Sequence, residues 1–313
     1  MKKVKQSKYA KKSINDELKL IARLKEEDEK LAELMLKSNN ERIKKFGTRI
    51  ADSGRIIEIN EETGRIKRLN LSHVRTENLS SHRNKQKIAS KFYANCDKLQ
   101  ETYTDNIFVS VTLTLKHCHV DELSDIINEL NHGWTKLINT PEFSSYFSRT
   151  GKYYKDCGYF KSLEIGSSTE FNKINPHFHC ILHIHKSFLH TKNYVSNDKL
   201  LELWKKSLND DGNDYQISAH IKHIKNNADN SITQQSAYFA SYATKTINLS
   251  KYNLNFIESY INQIDRGNLI IYSGTMKMIN NKKKLIDNNE DNNSTYYLYK
   301  NNSYYRVTVR IPS

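Results

Sequence analysis

The chain is poor in cysteine, proline and glycine, and it contains no long apolar run. Its four cysteines, Cys96, Cys118, Cys157 and Cys180, stand far apart without a C-x-x-C pair. That spacing argues against a disulfide framework and fits reduced thiols in a cytoplasmic protein. No segment approaches the ~20 apolar residues that a membrane-spanning helix needs. The opening MKKVKQSKYAKKS has no apolar core behind its lysines, so no secretory signal is expected. A nucleotide-cradling G-x-x-x-x-G-K-[ST] loop is also missing, so any unwinding of nucleic acid is expected to come from another protein, a host helicase. Only three prolines interrupt the 313 residues, and the abundance of Asn, Lys, Ile and Tyr has the look of coding bias.

What the chain has in excess is positive charge. A net +14 and a pI near 9.3, spread along most of the length, favour a polyanion partner, with phosphate backbones the commonest.

Hydrophobic spacing organises the rest. Ile14, Leu18, Ile21, Leu24, Leu31, Leu34 and Met35 recur at three- and four-residue steps, an amphipathic helix over 14–37. Residues 55–59 and 65–69 flank Asn60–Gly64 and read as a small hairpin, with Gly64 closing the turn. A basic helix is expected from Thr76 to about Leu99, with Arg83, Lys85, Lys87 and Lys91 on one side. Ile107–Leu115 alternates cleanly and predicts a half-buried strand. Val120–Ile138 carries helical spacing, and Pro141 is expected to end it. Gly158–Ile165 predicts a second strand, and a polar loop from Gly166 to Ile174 leads to the next. Further helices are expected at 198–208, 236–247 and 255–264, with strands at 215–224 and 267–272. A Tyr-rich hairpin is expected over 295–311.

The strand Asn175-Pro-His-Phe-His-Cys-Ile-Leu-His-Ile-His185 carries the chemistry. Alternation puts His177 and His179 on one face, above an apolar face of Phe178, Cys180, Leu182 and Ile184. Taken alone, a His-x-His is most simply two surface histidines. A short connection makes its neighbour antiparallel, however, and brings Glu164 beside His177. Two imidazoles and a carboxylate suit a divalent ion. Spacing alone leaves a second reading of Glu164 open, an ion pair with Lys161 or Lys173. His183 continues the same face and reads as a surface histidine, with a supporting role second. His185 lies too far along the strand to join an ion. On the helix after 236, Tyr238 and Tyr242 stand one turn apart, with Lys245 about a turn beyond. A tyrosine near a bound divalent ion, Mg²⁺ or Mn²⁺, could attack a DNA phosphate, with the ion and Lys245 as cations favouring the phenolate.

Phe108–Leu115, Asn175–Leu182 and Tyr238–Lys245 resemble, in that order, the three motifs of the HUH endonucleases that initiate rolling-circle replication, most closely the Rep group of small bacterial plasmids. The similarity extends over Ser162-Leu-Glu164, the helices of Trp134 and Trp204, and Gly267–Met276, roughly residues 70 to 280. It implies an α+β fold, a central antiparallel sheet of the ferredoxin or RRM-like kind with packed helices. It implies a metal site at His177, His179 and Glu164, a nucleophile at Tyr242, and Lys245 at a following family lysine. It implies origin DNA as partner, bound as a single strand or extruded hairpin. The implied organisation is a helical and hairpin region over 1–70, the endonuclease domain over 71–285, and an Asn-rich linker with the Tyr-rich tail over 286–313.

Departures in two places matter, around the tyrosine and upstream of the first motif. Where related plasmid proteins often carry a glutamate four residues before the tyrosine, this chain has Tyr238. In this it is more similar to the two-tyrosine initiators of isometric single-stranded phages. The lysine that usually precedes the tyrosine is Ser241. The upstream cysteine cluster of many relatives is also missing, with only His73 and His82 in the comparable stretch, so no zinc site is expected. A mobilisation relaxase or single-strand transposase would share this chemistry, and a basic nucleic-acid-binding protein without catalysis would share the charge.

Overall fold

The computed structural model describes residues 14–60, 66–69, 81–168, 173–190, 194–209, 217–225, 231–242, 247–264, 270–280 and 294–307. Two compact units make up the chain. One comprises Met1–Thr76, Leu249–Ile257 and Ile286–Ser313; the other comprises Glu77–Asn248 and Glu258–Leu285.

The first unit opens with α1 (Ile14–Leu36) and α2 (Glu41–Asp52), followed by β1 (Ile56–Asn60) and β2 (Ile66–Leu69). Its sheet is completed from the far end of the sequence, as detailed below. Of the expected turn, Asn60 ends β1, and residues 61–64, Gly64 included, fall outside the described residues.

The second unit starts with α3 (Ser81–Thr102) and β3 (Asn106–Thr114). The bridge β4 (Cys118–His119), α4 (Leu123–Ile138) and α5 (Pro141–Phe147) come next. Pro141 does not simply end a helix: it takes the first position of α5, where its missing N–H costs nothing. The strands β5 (Gly158–Ser167) and β6 (Lys173–His185) follow, then α6 (Asn197–Leu208), β7 (Ala219–Ile224), α7 (Ile232–Tyr242), α8 (Leu254–Ile264), whose first turn is counted with the first unit, β8 (Ile270–Gly274) and α9 (Lys277–Asn280). The five long strands lie in the order β7-β3-β6-β5-β8, every neighbouring pair antiparallel, and β4 extends the edge of β6. This is the α+β architecture expected from the sequence.

Both faces of this sheet are covered. On the back, Trp134 of α4 packs at 5.1 Å from Tyr159, and Trp204 of α6 donates its indole N–H to Thr114 O at 2.7 Å. On the front, Phe108, Phe160 and Ile181 form a core with Ile88, Phe92, Cys96 and Leu99 of α3, Ala237 and Ala240 of α7, and Met276 and Ile279. The strand expected to be half buried is therefore buried on both sides at its centre, because α3 and α7 lie across the face that Ser110 and Thr112 make look solvent-like. The four cysteines are free and buried.

The chain closes with β9 (Ser294–Lys300) and β10 (Ser303–Val307). Asn301 and Asn302, at φ of 49° and 57°, make the two-residue turn between them. β9 pairs with β1, giving the first unit a four-stranded sheet in the order β10-β9-β1-β2. Tyr297 and Tyr304 pack inward with Ile21, Ile57 and Ile59, and Tyr305 faces outward. No described helix is long and apolar enough to cross a membrane.

Candidate metal centre and tyrosine helix

The hairpin of β5 and β6 sets the centre. Its register places Glu164 directly opposite His177 and Ser162 opposite His179, so the carboxylate and both imidazoles share the front face. Glu164 Oε2 lies 3.3 Å from His177 Nε2 and 2.8 Å from His179 Nε2. The three ligating atoms fall within 4.8 Å of one another. Lys161, at odd spacing from Glu164, points to the back face, where its ammonium sits 4.2 Å from the Phe178 ring centre. The alternative of a Glu164–Lys161 pair is thereby removed.

Each imidazole is oriented from behind. His177 Nδ1 is 2.9 Å from Asn175 O; a carbonyl only accepts, so Nδ1 carries the proton and donates. His179 Nδ1 is 3.1 Å from Thr112 Oγ1, which the register of β3 on β6 places directly opposite. A neutral His177 then turns an unprotonated Nε2 toward a carboxylate oxygen. Two acceptors at that range need a cation between them, a proton or a metal ion. The donor set, two imidazole nitrogens and one carboxylate with backing partners, is that of a divalent metal site.

Electrostatics agree. Burial raises the pKa of the Glu164 carboxyl, but with no ion between them the facing His177 and His179 rings, when protonated, outweigh it through N–H donation and positive charge and hold the group down at about 2. The carboxylate is therefore ionised throughout the neutral range and ready to bind a cation.

α7 crosses beside this centre. Ser231 and Gln234 form a reciprocal cap at its start, with Ser231 N donating to Gln234 Oε1 at 2.8 Å and Gln234 N to Ser231 Oγ at 3.1 Å. Its buried side carries Thr233, Ser236, Ala237 and Ala240, small residues that let the helix lie close to its neighbours. Phe239 meets the His179 ring edge-on at 5.4 Å. Tyr238 is 72 % exposed. Position 242 lies about 40° round the helix axis from 238 and about 60° from 239, so it falls between the exposed tyrosine and the residue touching the metal face. α7 begins earlier than the spacing predicts and is described to Tyr242; Lys245 lies outside the described residues, as do the side chain of Tyr242 and those of Arg83, Lys85 and Lys87.

His183, expected at the surface, is fully buried. Its Nδ1 lies 2.8 Å from Thr275 Oγ1, its ring packs on Phe108 at 4.9 Å, and burial lowers its pKa to about 3. It is a core histidine held neutral. His185 is stacked on Tyr153 at 4.1 Å and takes no part in the centre. Sequence reasoning missed Thr112, the carbonyl of Asn175, the cap of α7 and Phe239. Only the cap had a local signal, the Ser-x-x-Gln spacing of Ser231 and Gln234.

A family model described as "Replication protein" matches residues 63–308. The chain belongs to this family. The match takes in β5, β6 and α7, and with them Glu164, His177, His179 and both tyrosines, in agreement with the resemblance to plasmid Rep proteins. A "Protein rep" of Staphylococcus aureus is 27 % identical over 145 residues, which are 46 % of this chain and 58 % of that protein. A "Protein rep" of a Bacillus species is 26 % identical over 121 residues, 39 % of this chain and 35 % of the relative. A "Replication protein" of Staphylococcus aureus is 23 % identical over 176 residues, 54 % of this chain and 71 % of the relative. The chain thus spans under two thirds of the first two relatives. No solved structure matches it.

Proposed function

We propose that the protein is a plasmid rolling-circle replication initiator that nicks one DNA strand at the origin through Tyr242 and stays attached by a phosphotyrosine link. The observation that carries this reading is the convergence of Glu164, His177 and His179 on the sheet face beside which α7 runs. The family match supports the replication role.

Glu164, His177 and His179 would hold a divalent ion, Mg²⁺ or Mn²⁺. Such an ion, when bound, supplies Lewis-acid stabilisation of charge on a phosphate oxygen. Asn175 O and Thr112 keep both imidazoles in the tautomer that presents Nε2. Tyr242 Oη forms the new bond to phosphorus and loses its proton to solvent. The 3′-oxygen of the preceding nucleotide leaves, takes up a proton and becomes the primer hydroxyl. One phosphate ester replaces another, so the step is reversible and the strand can be rejoined. Lys245, about a turn past Tyr242 on helical spacing, would favour the phenolate. Tyr238 would serve as the second nucleophile in strand transfer, and a host helicase would open the duplex ahead.

A labelled single-stranded oligonucleotide spanning the origin, incubated with Mn²⁺, tests the reading. The full chain should yield a covalent protein–DNA adduct and a free 3′-hydroxyl fragment, and Tyr242→Phe should yield neither. An adduct that persists in Tyr242→Phe removes the nucleophile assignment. Cleavage insensitive to replacement of His177 and His179 removes the metal centre.

A further inference from the structure

β7, the edge strand of the large sheet, presents a histidine on the same face as the candidate metal centre. Its register on β3 sets His220 opposite Thr112 and Lys222 opposite Ser110. Thr112 in turn stands opposite His179, so His220 ends a cross-strand row on the front face, two strand spacings or ~9.6 Å from His179. Both His220 and Lys222 are exposed. The backbone beside His220 is anchored: Asn197 Oδ1 of α6 accepts the Ile221 N–H at 2.7 Å, and Ser110 Oγ donates to Lys222 O at 3.2 Å.

α7 turns its tyrosine position toward this strand. Gln235 donates to Lys225 O just past the end of β7, and Phe239 meets His179 of β6, so two directions around the helix are fixed. Seen down the axis, position 239 lies about 40° from 235, and position 242 lies about 20° from 235 on the other side. Position 242 is therefore on the β7 side of the helix, ~4.5 Å along the axis past Phe239. The elements that pack most closely on β7 are β3, α6 and α7. Neither β3 nor α7 carries an acidic or basic side chain, and α6 lies on the back. Among the described residues, Lys222 and the tyrosines of α7 are the titratable groups that these elements bring to the front face beside His220.

We propose that His220 is the proton acceptor for the attacking tyrosine, an inference that rests on the assignment of Tyr242 as nucleophile. The bond from Tyr242 Oη to phosphorus forms and the bond from phosphorus to the 3′-oxygen breaks. As they do, the imidazole takes the Oη proton and hands it on to solvent, while the 3′-oxygen takes one up. Rejoining runs the transfer backward, with the imidazolium returning a proton to the departing tyrosine oxygen. A neutral imidazole has an accepting nitrogen, whereas an ammonium has three donors and no acceptor. Lys222 is thus a cation beside the developing charge and not the base. The exposure of His220 gives the proton its way out.

Adduct formation by the full chain on a labelled single-stranded origin oligonucleotide, followed over a single turnover at saturating Mn²⁺, tests this. His220→Gln should slow the adduct roughly 100- to 10,000-fold at neutral pH and flatten the rise of rate with pH. Its Mn²⁺ affinity by calorimetry and its oligonucleotide affinity by anisotropy should match wild type. His220→Ala should recover part of the lost rate when imidazole is added, and wild type should gain nothing. A wild-type rate and pH profile in His220→Gln would overturn this inference alone. So would a slow variant that imidazole does not rescue and whose Mn²⁺ affinity has fallen in step, which would make His220 a prop for the metal centre. An adduct that persists in Tyr242→Phe would remove the nucleophile assignment and the role of His220 with it.

Discussion

Thr112→Val is the sharpest probe of the candidate metal centre, because it replaces none of the three candidate ligands. Valine keeps the β-branched shape that the strand favours and removes only Oγ1, 3.1 Å from His179 Nδ1. For His179 to offer Nε2 to an ion, Nδ1 must carry the proton, and Oγ1 is the group that receives it. Without an ion, the loss is one hydrogen bond at a buried ring, worth ~1 kcal/mol. With an ion, removing the partner of a ligating imidazole weakens binding by roughly 10- to 100-fold, or about 1.4–2.7 kcal/mol. His177 keeps its own anchor on a backbone carbonyl, so affinity should fall and not vanish. Calorimetric titration of the full chain with Mn²⁺ reads this directly. Urea unfolding at excess Mn²⁺ should show the same loss of ion-linked stability. Thr112→Ser should restore most of the affinity. Wild-type Mn²⁺ affinity in Thr112→Val, in a protein whose affinity is lost with His179→Ala, would mean that Thr112 does not set the tautomer, and the argument for a backed ligand pair would fail.

Three further outcomes follow from single residues. Burial between Trp134 and Phe178 lowers the Lys161 ammonium from 10.5 to about 8, so the unfolded chain binds the proton more tightly and stability rises with pH across that window. Lys161→Met should therefore gain up to ~3 kcal/mol at neutral pH and abolish the rise; a wild-type urea midpoint flat over the window would contradict this. Gly274 has φ of +53°, and a Cβ there would lie 2.1 Å from Cys157 O and 2.8 Å from Gly158 Cα, so Gly274→Ala should destabilise by ~2 kcal/mol or more. A melting temperature like wild type would refute the close approach of β5 and β8. Tyr238→Phe should retain the first cleavage and lose strand rejoining over repeated rounds; normal multiple turnover would send termination to a water-based step instead.

The chemistry was legible where it depended on local alternation. β3, β5 and β6 follow from period-two patterning, and the meeting of Glu164 with His177 follows from a short antiparallel connection. What stayed hidden depended on distant cover. α2 escaped notice because its packing face holds only Ile43, Gly47 and Ile50, too few apolar residues to mark a helix. The pairing of β9 with β1 joins opposite ends of the chain, which no local pattern records. His183 shows the same limit within one strand. Alternation places His177, His179 and His183 on one face and cannot rank them. The structure ranks them by what lies above: His183 is 0 % exposed and His179 7 %, and the side chain of His177 is 14 % exposed. α3 and α7 seal the end of the face where Phe108, Phe160 and Ile181 make an apolar bed, so a histidine there stays neutral and structural. His177, toward Asn175, keeps the most exposure of the three, so an ion held by Glu164 would be reached from the His177 side. The same imidazole repeated along one strand is thus core at one end and part of the candidate metal centre at the other, and the covering helices decide which.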